Sequence, residues 1–179
     1  DNRYANSVVA VRGSTVEVVW HYQTLHHDLW DWDVPSQPIL LDLELDGAVV
    51  PAVLQLTKMG LTFILHRETG EPLFPIEERP VPTDGVPGEV PSPTQPFPTH
   101  PPPFGKMSMT PDDAWGFTVF DEAGCRNKIA GMRYGDIYQP PSEEGTVMMP
   151  GLSINNWGGA AFDPATQNLI VPVNTAPTF

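Results

Sequence analysis

The chain has 179 residues, with 22 Asp or Glu against nine Lys or Arg, so its formal net charge is −13 with the five His neutral. This charge repels phosphate backbones and anionic lipid headgroups, which excludes nucleic acid as a first choice of partner. Hydrophobic residues make up 40% of the chain and charged residues 17%, a composition too apolar for a wholly disordered polypeptide. The 22 Pro and 15 Gly favour strands and loops over long helices.

The single cysteine, Cys125, has no partner for an internal disulfide or a paired-cysteine metal site, and we expect an inert thiol. The sequence begins at Asp1 without a start methionine or a signal peptide, which indicates a piece of a longer protein. No run approaches the roughly 18 apolar residues that cross a bilayer, so any membrane anchor is expected outside this range.

The first part of the chain predicts β-strands, because β-branched and apolar residues dominate its uninterrupted runs. Asp46 and Gly47 favour positive φ, which predicts a tight hairpin between two of these strands. The predicted strands cover residues 14–25, 39–45, 49–56, 61–66 and 71–74.

A proline-rich segment follows, and about half of the prolines of the chain lie between Pro72 and Pro103. Such a composition is typical of extended loops, and a disordered linker is one interpretation. We favour an ordered excursion over residues 72–114, pinned to a surface by four apolar side chains. These are Phe74, Ile76, Phe97 and Phe104. Beyond it, short strands are predicted at 115–120 and 145–149, and a strand-turn-strand unit at 160–172.

A weak internal repeat relates these units. Alignment of residues 63–73 with 160–170 places Thr69 opposite Thr166, each in a turn after an apolar strand. Repeated antiparallel units of this kind suggest the blades of a β-propeller. The chain supplies only two or three blades of about 40 to 50 residues, and a propeller needs at least four.

We therefore predict an all-β fold, a partial β-propeller of two to three four-stranded antiparallel blades with a long Pro-rich loop. Residues 1–71 and 115–179 form the blade segments, and residues 72–114 form the excursion.

The richest polar cluster lies between His21 and Asp33, where three histidines and three carboxylates fall within thirteen positions. If this segment is a strand, Asp31 and Asp33 share one face while Trp30 and Trp32 share the other. A carboxylate beside aromatic rings loses part of its hydration, which suits a general base.

Two alternatives remain open for this cluster. The polar residues could be hydrogen-bonded loop residues at the rim of a sheet. They could also bind zinc, with His26, Asp28 and Asp31 as ligands, although no HExxH-type spacing supports a zinc site.

Several ordered motifs carry a resemblance to a known family. Lys58 stands 27 positions after Asp31. The motifs, in chain order, are His26–Asp31, Asp33–Pro38, Pro93–Phe97, Met132–Tyr134, Pro140–Thr146 and Trp157–Gly159. Together they resemble the pyrroloquinoline-quinone-dependent dehydrogenases, in particular the membrane-bound glucose and quinate dehydrogenase branch.

The resemblance implies an eight-bladed propeller with the quinone on its axis, beside calcium or magnesium. Asp31 would be the catalytic base that removes the hydroxyl proton, and Lys58 the cation beside the quinone oxygens. Asn156 and Trp157 would contact the cofactor, although glucose-type members often have an acidic residue at the position of Asn156. Trp157 could instead pack between blades. His26 and His27 would orient Asp31 or touch substrate, or have a structural role only.

The resemblance further implies an oxidoreductase that oxidises an aldose, polyol or quinate-like alcohol and passes electrons to ubiquinone or a cytochrome, in the periplasm. The main metal ligands and the remaining blades are expected outside this chain, whose exposed edges would allow self-association. The alternatives are a catalytically inactive propeller segment used for binding or assembly, and a zinc hydrolase.

Overall fold

Short antiparallel sheets form most of the regular structure in the computed structural model, which describes residues 2–179. The strands pair as β1–β2, β3–β4–β5, β6–β7 and β8–β9, and no sheet within this range has more than three strands. The all-β prediction is confirmed. The elements are β1 (Ser7–Val11), β2 (Val18–Gln23), β3 (Ile39–Leu45), β4 (Ala48–Leu56), β5 (Thr62–His66), β6 (Ile76–Pro80), β7 (Thr94–Pro98), a short 3-10 helix (Pro111–Asp113), α1 (Val119–Ala130), β8 (Ala161–Asp163) and β9 (Asn168–Ile170).

The central sheet follows the sequence prediction closely. Leu45 of β3 pairs with Ala48 of β4, so only Asp46 and Gly47 form the turn. Both have positive φ, 50° and 79°, as a two-residue hairpin turn requires. Strand β5 then returns along the other side of β4.

The first predicted strand, 14–25, is wrong in its first part. Regular pairing starts only at Val18, because the chain turns at residues 12–17. There the Arg12 amide donates to the Glu17 carbonyl at 2.8 Å, and Val16 has a φ of 61°. The partner strand β1 lies before this turn and was not predicted from the sequence.

The proline-rich segment is ordered and contains a hairpin that composition did not indicate. Strands β6 and β7 pair antiparallel, with Ile76 opposite Pro98 and Glu77 opposite Phe97. Proline is compatible with a two-stranded edge hairpin, because each strand leaves one side unpaired. Of the four apolar side chains expected to hold the segment, Ile76 and Phe97 pack against the first hydrophobic cluster and Phe104 against the second, whereas Phe74 stacks on His100.

The strand predicted at 115–120 is wrong. Residues 115–117 are irregular, and α1 begins at Val119 with Thr118 as its N-cap. Asp121 completes a capping box, since its carboxylate accepts from the Thr118 amide at 3.1 Å. The region 145–149 forms only single bridges, at Thr146 and Met148, instead of a strand.

The strand-turn-strand unit predicted at 160–172 is confirmed as β8 and β9, in which Ala161 pairs with Ile170 and Asp163 with Asn168. This hairpin packs on the sheet β3–β4–β5 around the second hydrophobic cluster. Among residues 2–179 no helix has the length and apolarity needed to cross a membrane.

The largest hydrophobic cluster lies beneath the polar segment that precedes β3. Two buried tryptophans tie this segment to the loop after α1 through their indole N–H groups. Trp30 donates to the Gln139 carbonyl at 2.8 Å, and Trp32 donates to the Ile137 carbonyl at 3.0 Å. The members are Leu25, Trp30, Trp32, Met59, Leu61, Phe63, Ile137 and Tyr138.

Candidate active site

Lys58 is held in the tight turn that connects β4 to β5. The Gly60 amide donates to the Thr57 carbonyl at 3.0 Å, and Gly60 has a φ of 80°. The Ile154 amide donates to the Lys58 carbonyl at 2.7 Å, which fixes the Lys58 backbone from a distant part of the chain. A side chain at position 60 would collide with Ile154. The turn therefore requires glycine and sets the direction of Lys58.

The Lys58 ammonium forms ion pairs with two carboxylates. Its Nζ lies 2.9 Å from Oδ2 of Asp31 and also contacts Oδ1 of Asp33. The Lys58 side chain is 9% exposed, whereas Asp31 is 85% and Asp33 40% exposed. Burial lowers the pKa of Lys58, but the two carboxylates outweigh it and the net pKa is raised. Lys58 is therefore a cation at neutral pH.

The segment that carries Asp31 and Asp33 is an irregular loop and not a strand, in line with the alternative of hydrogen-bonded loop residues. Asp31 has a φ of 65°, which no regular strand contains. The predicted division of faces is nevertheless present, because Trp30 and Trp32 are buried while both carboxylates face Lys58. The aromatic rings lie below Asp31 and do not shield it from water.

Asp28 holds the conformation of this loop. From the sequence it was predicted only as a candidate zinc ligand. Its Oδ1 accepts from the backbone amides of Trp30 at 2.9 Å and Trp32 at 3.2 Å. Its Oδ2 accepts from the Asn6 amide group at 3.0 Å. Both carboxylate oxygens of Asp28 therefore accept hydrogen bonds from groups of the protein itself.

His26 and His27 contact acidic residues of the proline-rich segment. Nε2 of His26 lies 3.0 Å from Oε1 of Glu78, and Nε2 of His27 lies 2.8 Å from Oε1 of Glu89. The hydrogen bond from His27 lowers the pKa of Glu89. Neither imidazole is hydrogen-bonded to Asp31, so an orienting role for the histidines stays a prediction.

The three candidate zinc ligands do not converge. His26 pairs with Glu78, Asp28 with backbone amides and Asp31 with Lys58. Over residues 2–179, no group of three His, Cys, Asp or Glu side chains is placed to hold a metal ion.

Gln95 is a further residue that the sequence analysis did not single out. Its side-chain oxygen accepts from the His26 amide at 2.8 Å, and its side-chain nitrogen donates to the His26 carbonyl at 2.7 Å. Gln95 is fully buried. It therefore holds the start of the polar loop as a neighbouring strand would. The sequence signal that could have indicated Gln95 is its place within the motif Pro93–Phe97.

Asn156 lines a surface cleft beside the Lys58 turn, and Trp157 lines a different cleft together with Gln37 and Pro38. The cleft at Asn156 has a volume of about 400 Å³, and Asn156 lines it together with Ile154. The Asn156 side chain donates to Oγ of Ser153 at 3.0 Å and accepts from the Trp157 amide at 2.9 Å. Trp157 is 79% exposed within this chain, so both its contact with a cofactor and its packing between blades stay predictions. No hydrogen bond in the described residues joins either side chain to Lys58 or Asp31.

A fold of short antiparallel sheets is typical of a propeller segment, and comparison with known proteins gives the family. The sequence profile described as "PQQ: Glucose/ethanol/alcohol dehydrogenase, beta-propeller domain" matches residues 1–179. The chain belongs to this family, in which PQQ denotes pyrroloquinoline quinone.

Characterised relatives are far longer than this chain. It is 45% identical to quinoprotein glucose dehydrogenase A of Acinetobacter calcoaceticus over 92% of its residues, and it spans 21% of that protein. It is 40% identical to the quinate/shikimate dehydrogenase (quinone) of Acinetobacter baylyi over 96% of its residues, again spanning 21%.

Among solved structures, a europium-containing methanol dehydrogenase aligns with 97% of the chain at a TM-score of 0.58 and 22% identity, with 24% of that structure covered. This confirms the partial propeller fold.

Proposed function

We propose that this chain is part of a pyrroloquinoline-quinone-dependent dehydrogenase that oxidises the alcohol group of an aldose, a polyol or a quinate-like compound. One observation carries the proposal: the almost fully buried ammonium of Lys58 lies 2.9 Å from the exposed carboxylate of Asp31. A fixed cation beside an accessible base is what removal of a hydroxyl proton next to a reducible quinone requires. The names of the relatives, glucose and quinate/shikimate dehydrogenases, support the substrate class.

Three of the predicted site residues fit the cofactor chemically. Pyrroloquinoline quinone is a flat, anionic ring system with carbonyl and carboxylate oxygens, so it needs cationic and amide donors and an aromatic surface. Lys58 supplies the cation, Asn156 an amide and Trp157 an exposed indole ring. We infer that these three residues contact the bound cofactor, which supplies the two-electron acceptor for hydride from the carbinol carbon.

Asp31 acts as the general base in this mechanism. Lys58 donates to Oδ2 of Asp31, which leaves Oδ1 of the exposed carboxylate to accept the hydroxyl proton of the substrate. As the proton moves to Asp31, the carbinol oxygen becomes the carbonyl oxygen of the product. The proton leaves Asp31 to water before the next turnover.

Lys58 stabilises negative charge in this mechanism. When Asp31 becomes neutral, the ammonium loses one of its two anionic partners and keeps Asp33. Its positive charge can then stabilise the negative charge that develops on neighbouring oxygens. Since the raised pKa keeps Lys58 charged, this role does not depend on pH near neutrality.

The metal and the partners of the protein are part of the same proposal. Calcium needs about six to eight oxygen ligands, so we place the main ligands of a calcium or magnesium ion outside this chain. The remaining propeller blades supply them. Electrons pass to ubiquinone or a cytochrome in the periplasm, as family resemblance implies.

The test is Asp31→Asn in the full-length protein, assayed for dye-coupled oxidation of glucose and of quinate. Because the amide cannot accept the proton, kcat is expected to fall by about 10²-fold or more, while the Kd for pyrroloquinoline quinone stays unchanged. Asp42→Asn is the matched control, because Asp42 is an exposed carboxylate on β3 that forms an ion pair with Arg67.

Unchanged turnover in Asp31→Asn would reject the base. Absence of any quinone-dependent oxidation in the wild-type protein would favour the inactive propeller segment instead.

A further inference from the structure

Asp31 has a backbone conformation that must be held by its surroundings. Its φ of 65° is in the left-handed region, which non-glycine residues adopt only at a cost in free energy. Its side chain is 85% exposed, so packing does not hold it. The direction of the carboxylate therefore depends on the residues on either side.

The backbone amides of both neighbours of Asp31 donate to one oxygen atom. Oδ1 of Asp28 accepts from Trp30 at 2.9 Å and from Trp32 at 3.2 Å. Hydrogen bonds to an ionised carboxylate are stronger than neutral ones. The chain is thereby bent around Asp28, and Asp31 lies at the outside of the bend, where its side chain meets Lys58.

The other oxygen of Asp28 connects the bend to the first sheet. Its Oδ2 accepts from the Asn6 side chain at 3.0 Å. The Asn6 carbonyl in turn accepts from the amide and the hydroxyl of Thr24, both at 2.8 Å, at the end of β2. Asp28 is therefore anchored to Asn6 through Oδ2 and holds the loop through Oδ1.

We propose that Asp28 is a positioning residue for catalysis, which sets the place of the Asp31 carboxylate without touching the substrate. This inference rests on the proposed role of Asp31 as base. Small displacements of a catalytic group lower the chemical rate far more than they lower binding, because the reacting atoms must be aligned. Loss of Asp28 should therefore lower kcat and spare KM.

The first experiment is Asp28→Ala in the full-length holoenzyme. We expect kcat to fall by about tenfold or more, with KM and the Kd for pyrroloquinoline quinone within about threefold of wild type. Leu54→Ala is the control for a general loss of stability, since Leu54 is buried in the second hydrophobic cluster, away from the loop. Its kcat per folded molecule should equal that of wild type.

A second set of variants applies if Asp28→Ala does not fold. Asp28→Asn keeps the acceptor for Trp30 and Trp32 but sets its amide group against that of Asn6, and Asn6→Asp alone sets two carboxylates together. The double variant Asn6→Asp/Asp28→Asn restores the bond with donor and acceptor exchanged. We expect kcat in the double variant to recover to within about threefold of wild type, and both single variants to be slower.

The inference is overturned if Asp28→Ala behaves like Leu54→Ala, if only KM changes, or if the exchange does not restore kcat. Asp31→Asn, measured beside these variants, separates the two proposals. A slow Asp31→Asn with a normal Asp28→Ala rejects the positioning role alone. A fully active Asp31→Asn rejects the base, and the positioning role with it.

Discussion

Lys58 balances two carboxylates that approach it from one loop. Asp33 is the more buried partner and Asp31 the more exposed one. A buried charge without a partner would cost several kcal/mol, so Asp33 stabilises the ammonium independently of the protonation of Asp31. Asp33 is therefore the structural partner of Lys58, whereas Asp31 is the group that is proposed to exchange protons.

Lys58→Ala is expected to slow cofactor reduction by about 10²-fold while KM for the alcohol changes little, because the lost charge acts on negative charge that grows in the transition state. Stopped-flow absorbance of the quinone measures the reductive step directly. Lys106→Ala is the control, since Lys106 forms a surface ion pair with Asp113. A rise in KM with an unchanged reductive rate would contradict the role given to Lys58.

At the scale of elements, the first and central sheets meet at the turn after β5. The indole N–H of Trp20, on β2, donates to the Arg67 carbonyl at 3.2 Å. The indole ring lies against Gly70, which has a φ of 76°. A Cβ at position 70 would lie 2.6 Å from the ring atom Cδ2. Glycine is therefore needed here for both its backbone conformation and its small size.

A pair of glycine substitutions separates the effect of backbone conformation from the effect of side-chain size. Gly47 has a similar φ of 79° but nothing within 4 Å of its Cβ position. Gly47→Ala should lower the free energy of unfolding by about 1 kcal/mol, through backbone strain alone. Gly70→Ala should lower it by at least about 1 kcal/mol more, because Trp20 must move.

Urea unfolding of both glycine variants, followed by circular dichroism, measures the difference. Equal losses would show that the contact between Trp20 and Gly70 does not join the two sheets.

At the scale of the whole molecule, the candidate site lies on an open surface. Asp31 and Trp157 are exposed. The chain spans about a fifth of the length of its characterised relatives. This agrees with the proposal that further blades complete the cofactor site.

We expect the isolated chain to show no saturable binding of pyrroloquinoline quinone, with or without calcium, because the proposed metal ligands lie elsewhere. A titration followed by the absorbance of the quinone checks this. Saturable binding with oxidation of glucose would instead mean that copies of this chain assemble a complete site, and size-exclusion chromatography would then show the self-associated form.

Much of the central architecture was predictable from local sequence. The hairpin at Asp46 and Gly47 and the strand-turn-strand unit at residues 160–172 follow from turn residues flanked by apolar runs. The region 115–120 was mistaken for a strand because aromatic residues favour strands, while the capping residues Thr118 and Asp121 start a helix. The hairpin β6–β7 was missed because its prolines hide the strand pattern.

The family and the candidate site residues could be predicted from the chain alone, because motif spacing such as that between Asp31 and Lys58 is a property of the sequence. The contacts that these residues make became visible only in the folded structure. Asp28 accepts hydrogen bonds from two amides of the loop and from Asn6, whereas Asp31 lies at the outside of the loop beside Lys58. Local sequence does not distinguish these two aspartates, since their roles depend on partners that are 22 and 27 residues away along the chain.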